Sequence, residues 1–137
     1  MSREVLQTLS EPMYYVLMAL LEERCGVDIM KNVEELSHGR VRVGPGTSYT
    51  LLDKFLKLKL IRETKVEGRK RSYIITELGK EILFKEYNRL NQLISDGDEL
   101  VGKLMKNTWK DIYLWCTIRL VAKFDYFFRM EKLKWER

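Results

Sequence analysis

The sequence predicts a mainly α-helical fold with one small β-hairpin: a winged helix-turn-helix followed by C-terminal dimerisation helices. Three observations predict it. Apolar residues recur at three- and four-residue spacing in three segments before residue 60. Between 60 and 76 the spacing changes to alternation around a basic turn that contains glycine, and helical spacing then resumes to the end. Three helices followed by a basic hairpin is the element order of a winged helix.

The first helix is expected to start at Ser10, a good N-cap, with Glu11 and Pro12 in a first turn that tolerates both. Met13, Val16, Leu17, Leu20 and Leu21 share one face, and the helix should reach about Arg24, before Gly26. The second is expected from Asp28, as its cap, to Ser37, burying Ile29, Met30, Val33 and Leu36 and ending at His38-Gly39. Val41-Arg42-Val43 alternates like a very short strand. Gly44-Pro45-Gly46 reads as a non-helical turn, with Thr47 capping a third helix over about Ser48 to Lys59. In that helix Leu51, Leu52, Phe55 and Leu58 suit burial, while Tyr49, Thr50, Asp53, Lys54 and Lys57 look outward. Strands are expected at 60–66 and 72–76, flanking the tip Glu67-Gly68-Arg69-Lys70-Arg71. Leu78, Ile82, Leu83, Tyr87, Leu90 and Ile94 trace a further helix to about Ser95. Asp96-Gly97-Asp98 is expected to interrupt it before a last helix begins near Asp98. Residues 1–76 are thus read as the DNA-binding domain and 77–137 as a helical dimerisation region, with no linker composition between them.

Bulk properties narrow the function classes. The chain's 137 residues suffice for one small domain with an accessory element. Two distant cysteines, Cys25 and Cys116, and the single His38 make neither a disulfide framework nor a zinc site. Both thiols are read as reduced in a cytoplasm, and no metal or cofactor is expected. The N-terminus lacks the apolar run of a signal peptide, and Arg119, Lys123 and Asp125 interrupt the most apolar stretch, so no membrane span is expected. One histidine and no carboxylate or Ser-His-Asp constellation argue against an enzyme.

Charge is unevenly placed. Residues 1–37 sum to −4, residues 38–71 to +7 and the remainder to +2. A positive block of this kind is either a solvated face or a footprint for a polyanion. Its predicted structure favours the second. A helix opening after a glycine-rich turn presents free N–H groups and a positive dipole end to a phosphate. Thr47, Ser48 and Thr50 are short enough to reach base edges, while Tyr49 is read either as a contact or as a half-buried core residue. Lys54 and Lys57 suit flanking phosphates, and Arg69, Lys70 and Arg71 would lie along the backbone or enter the minor groove.

Leu9 to Arg24, Gly44-Pro45-Gly46-Thr47-Ser48-Tyr49 and Gly68-Arg69-Lys70-Arg71-Ser72-Tyr73, followed by Ile75-Thr76-Glu77-Leu78-Gly79, resemble three motifs of the PadR-type regulators, in order, over about residues 5–80. The resemblance implies a homodimer built by C-terminal helices that reads a two-fold-symmetric operator in double-stranded DNA. It also implies a repressor whose affinity is lowered by a small aromatic or hydrophobic effector. The chain departs from the family pattern at Ser48 (often leucine), Thr50 (often glycine), Asp53 (frequently basic) and Lys59 (usually glycine). Asp53 would repel phosphate unless it pairs with a neighbouring cation or accepts a hydrogen bond from cytosine N4.

The tail from 98 to 137 holds eight of the chain's 15 aromatic residues. One or two helices cannot bury them alone, so a second subunit across a two-fold interface is expected. Leu83, Tyr87, Leu90, Trp109, Ile112, Trp115 and Phe124 are the residues assigned to dimerisation or to an effector pocket. The two alternatives stay open, with interface core the simpler. The rival function is a winged helix used for protein contact, which would bind DNA weakly and without sequence preference.

Overall fold

The computed structural model describes residues 8–105, in the order α1 (Glu11–Ala19), β1 (Arg24–Cys25), α2 (Gly26–Leu36), α3 (Pro45–Lys57), β2 (Ile61–Glu67), β3 (Lys70–Ile75) and α4 (Glu77–Met105). Trp109, Ile112, Trp115 and Phe124 lie outside the described residues. The chain divides into two compact units between Asn91 and Gln92.

α1 starts as expected, with Ser10 accepting a hydrogen bond from the Met13 N–H at 3.4 Å. It ends at Ala19, earlier than the periodicity suggests, because the Arg24 guanidinium donates to the Ala19 carbonyl at 2.9 Å and the chain turns into a strand. Arg24 and Cys25 pair with Tyr73 and Ser72, so the sheet has three strands in the order β1-β3-β2 rather than the two expected. A strand of two residues carries no alternation to read.

α2 opens at Gly26 with Cys25 as its cap residue. Asp28, expected to cap, sits in the first turn and accepts from the Cys25 thiol at 3.0 Å. The helix closes with Gly39 N–H to Glu34 and His38 N–H to Glu35, at 2.8 and 3.1 Å, and with His38 and Gly39 at positive φ. Val41 and Val43 are buried on either side of exposed Arg42, yet they make no strand. The buried Ser37 hydroxyl accepts the Val41 N–H at 2.9 Å, which satisfies that amide without a ladder.

α3 also differs from expectation, starting at Pro45 with Gly44 as cap. Proline suits the first helical position because its missing N–H would have had no intrahelical acceptor. The C-terminus closes with Leu60 N–H to Phe55 and Lys59 N–H to Leu56, at 2.9 and 3.1 Å, which puts Lys59 at φ 58°. A non-glycine residue there costs about 1–2 kcal/mol.

β2 and β3 pair antiparallel from Ile61↔Ile75 to Glu67↔Lys70, with a bulge between Glu63 and Lys65. The tip is therefore Gly68-Arg69, with Gly68 at φ 62°, and Lys70 and Arg71 belong to the strand rather than the turn. Thr76 then links three elements. Its N–H donates to the Leu60 carbonyl at 2.9 Å, its hydroxyl donates to the Lys59 carbonyl at 2.7 Å, and it accepts the Gly79 N–H at 3.1 Å. α4 runs unbroken through Asp96-Gly97-Asp98, which was expected to end it. One interior glycine costs only about 1 kcal/mol, and Gln92–Asp96 and Lys103–Glu99 side-chain bonds of 2.8 and 2.9 Å bracket it.

The core joins Val16, Leu17, Leu20, Ile29, Val33 and Phe55 to Leu52, Ile61, Tyr73 and Ile75. Burying each such side chain contributes about 1.5–3 kcal/mol, more than an exposed ion pair, so packing sets the helix positions. Leu83, assigned to dimerisation from the sequence, is 8% exposed within this core and is corrected to a core residue. With Ile82 it packs the first turns of α4 into the same core. Glu86 is buried and clasped by Arg89 at 2.9 Å. The guanidinium holds its carboxyl below the usual range; burial opposes this and the Leu9 N–H assists it.

A Cβ at Gly79 would collide with the Leu60 carbonyl and stand 2.6 Å from Ile75. Gly79→Ala should therefore lose about 1–3 kcal/mol of stability in denaturant unfolding, despite alanine's better helix propensity. Glu86, lowered in the folded state, contributes stability that is present above its unfolded pKa and lost as the pH falls below about 4.5. Melting temperature should fall more steeply below that pH in the parent than in Glu86→Gln, and parallel curves would refute the assignment.

Candidate nucleic-acid interface

The outward face of α3 follows from what its opposite face buries. Ser48, Leu52 and Phe55, spaced by four and three residues, enter the core. Thr47, Thr50, Asp53, Lys54 and Lys57 are exposed, as expected. Ser48 is a correction: at 4% exposed it cannot reach a base edge, because it lies on the same stripe as Leu52 and Phe55. Tyr49, read in two ways from the sequence, is 73% exposed and so is not a core residue. Burial and the Glu63 carboxylate hold the Tyr73 phenol above its ordinary range, with Arg71 opposing. α3 packs against β2, the first strand of the wing.

The helix start is open. Gly44 brings no side chain to cap it, so the Gly46 and Thr47 N–H groups project at the positive end of the dipole. The Thr50 hydroxyl donates its proton to the Gly46 carbonyl at 3.0 Å, which leaves its lone pairs to accept.

Pairing sorts the cations of the positive block. Arg40 joins Glu11 at 3.5 Å and the Tyr15 hydroxyl at 2.9 Å, while Arg42 joins Glu34 at 3.2 Å. Lys57 joins Asp53 at 2.8 Å, Lys65 joins Glu23 at 3.6 Å, and Arg71 joins Glu63 at 3.5 Å. Asp53 raises the Lys57 ammonium, chiefly through their hydrogen bond. Among the described residues, no ion pair involves Lys54, Arg69 or Lys70, and all three are exposed. The excess charge therefore concentrates on the α3 surface and the wing tip. Lys59 and Arg62 are exposed and outside these pairs as well, and sequence reasoning did not place them in the site. The alternation of Arg62 with buried Ile61 was the signal that could have found it.

Tyr87 is exposed and Leu90 is half-buried on α4, whereas Leu83 does not join them. Among the described residues, no group of three or more His, Cys, Asp or Glu side chains could hold a metal ion. No described helix is long and apolar enough to cross a membrane.

Residues 16–85, just over half the chain, match the family model described as the transcriptional regulator PadR-like family. Solved structures share the fold. A PadR family transcriptional regulator from Eggerthella lenta is 24% identical with a TM-score of 0.51, over 68% of this chain and 80% of that one. A PadR-like transcription factor from Bacteroides fragilis is 22% identical with a TM-score of 0.54, over 65% and 87%. The zinc-responsive MarR family member ZitR of Lactococcus lactis is 18% identical with a TM-score of 0.54, over 90% and 82%. No curated protein sequence matches the chain.

The assignment of faces on α3 is testable by stability alone. Ser48→Asp buries an unpaired charge and should cost about 3 kcal/mol or more. Thr50→Asp, on the exposed face, should stay within about 0.5 kcal/mol of the parent. Equal effects in urea unfolding would show that α3 is rotated from this description.

Proposed function

The chain belongs to the PadR-like family of transcriptional regulators, and from that membership we propose a sequence-specific regulator that binds a two-fold-symmetric operator in double-stranded DNA as a homodimer. The observation that carries this reading is the joint exposure of an uncapped α3 N-terminus, the unpaired Lys54 in the last turn of the same helix, and the unpaired Arg69 and Lys70 of the wing.

In this reading the Gly46 and Thr47 amides meet a phosphate while Thr47 and Thr50 face base edges, with Tyr49 on the flank toward the wing. Lys54, Arg69 and Lys70 neutralise phosphates directly. Arg71 exchanges its loose, exposed pair with Glu63 for another, since such pairs are worth at most about 1 kcal/mol. The second subunit is supported by α4. Tyr87, Ile94, Val101 and Leu104 are exposed, and with Leu90 and Gly97 they recur at alternating three- and four-residue steps. That is the spacing of a helix seam made to meet another helix. A dimer brings two recognition helices to successive major grooves, roughly 34 Å apart. Repression, relieved by a small aromatic or hydrophobic effector, is the mode that the family resemblance implies.

Selection from random duplex DNA at about 150 mM salt, where non-specific binding is weak, should enrich a two-fold-symmetric site. No enrichment would move the function to protein contact. Replacing Arg69, Lys70 and Arg71 by alanine should weaken all sequences alike and flatten the dependence of log K on log salt by about 0.9 per lost phosphate contact. An unchanged slope would remove the wing from the interface.

A further inference from the structure

We propose that Asp53 and Lys57 act as one unit that reads a C·G base pair in each half-site, an inference that rests on α3 entering the major groove as proposed above. The two residues lie one helical turn apart on the exposed face of α3, with side chains 63% and 75% exposed and Oδ2 and Nζ 2.8 Å apart. The pair thus presents an acceptor and a donor side by side, on the surface that also carries Thr50 and Lys54.

An anion in this position has few acceptable neighbours. Phosphates on both sides repel it, and in the major groove the only hydrogen-bond donors are the N4 amine of cytosine and the N6 amine of adenine. Guanine and thymine would set a carbonyl oxygen against the carboxylate. Lys57 decides between the two amines. Beside cytosine, in the same base pair, guanine offers the ammonium two acceptors, O6 and N7. Beside adenine, thymine offers O4 alone with a methyl group next to it. A carboxylate and an ammonium in contact therefore complement the donor and acceptors of C·G better than those of any other pair. The same contact keeps Lys57 from serving as a free phosphate clamp, a task left to Lys54.

The test compares the full-length parent with Asp53→Asn by selection from random duplex DNA, followed by affinity measurements on the enriched site. The parent should select one C·G pair in each half-site whose change to T·A weakens binding about 5- to 150-fold. Asparagine supplies a donor and an acceptor together, which suits adenine N6 and N7. The variant should therefore prefer adenine where the parent prefers cytosine, with the other positions unchanged. Identical enriched sites for the two proteins would overturn the Asp53–Lys57 reading and leave the regulator intact. A parent that enriches no site would overturn the DNA-binding reading itself, and this inference with it.

Discussion

The Leu60 carbonyl is the point on which the geometry of the described residues depends. It accepts the Thr76 N–H, and Gly79 lies so close to it that no side chain fits. One residue earlier, the Lys59 carbonyl accepts the Thr76 hydroxyl. The end of α3, the first and last residues of the wing and the first turn of α4 are thereby fixed within a few ångströms. Each bond nets only about 1 kcal/mol, but leaving the polar backbone of buried Leu60 unpaired would cost about 1–3 kcal/mol. The junction therefore holds as a set, and it tolerates the left-handed Lys59 where glycine would be unstrained. The angle between wing and recognition helix is a property of this junction rather than of either element.

Electrostatics are organised across the chain more than within the basic block. The acidic first third supplies Glu11, Glu23 and Glu34, which neutralise Arg40, Lys65 and Arg42. The net charge of a segment therefore overstates the field that a ligand would meet. What remains unneutralised is narrower: Lys54 on α3, Lys59 just past its end, and Arg62, Arg69 and Lys70 on the wing. Exposed pairs contribute little to stability, so their main effect is to shape where positive potential survives.

The helices and the hairpin were legible in the sequence because each repeats a period over several residues. Features set by one or two residues were not. The strand at Arg24 and Cys25 exists only because β3 lies beside it, and no local pattern announces a partner so distant in sequence. Pro45 and Gly46 look like helix breakers by composition, yet at the first positions of a helix the proline is an advantage. Asp96-Gly97-Asp98 reads as a stop, but one glycine is a small cost against the cooperativity of a long helix. At the candidate site, the outward set on α3 was largely visible. Ser48 misled because a small polar side chain suits a base edge and a tight core position equally well. Leu83 misled because an apolar α4 residue can face its own core or a second subunit with the same periodicity.

The pairing of β1 with the middle strand also bears on how the chain assembles. Leu20 accepts the Ile75 N–H, and Arg24 and Cys25 wait for Tyr73 and Ser72. These contacts join regions separated by two helices, and closing such loops slows folding relative to forming local turns. A nascent chain that ends before β3 has the segments of all three N-terminal helices but nothing against which β1 can form. The sheet, and with it the wing's orientation, therefore cannot assemble during synthesis until β3 has been made. The recognition helix can take shape before the junction that aims it exists.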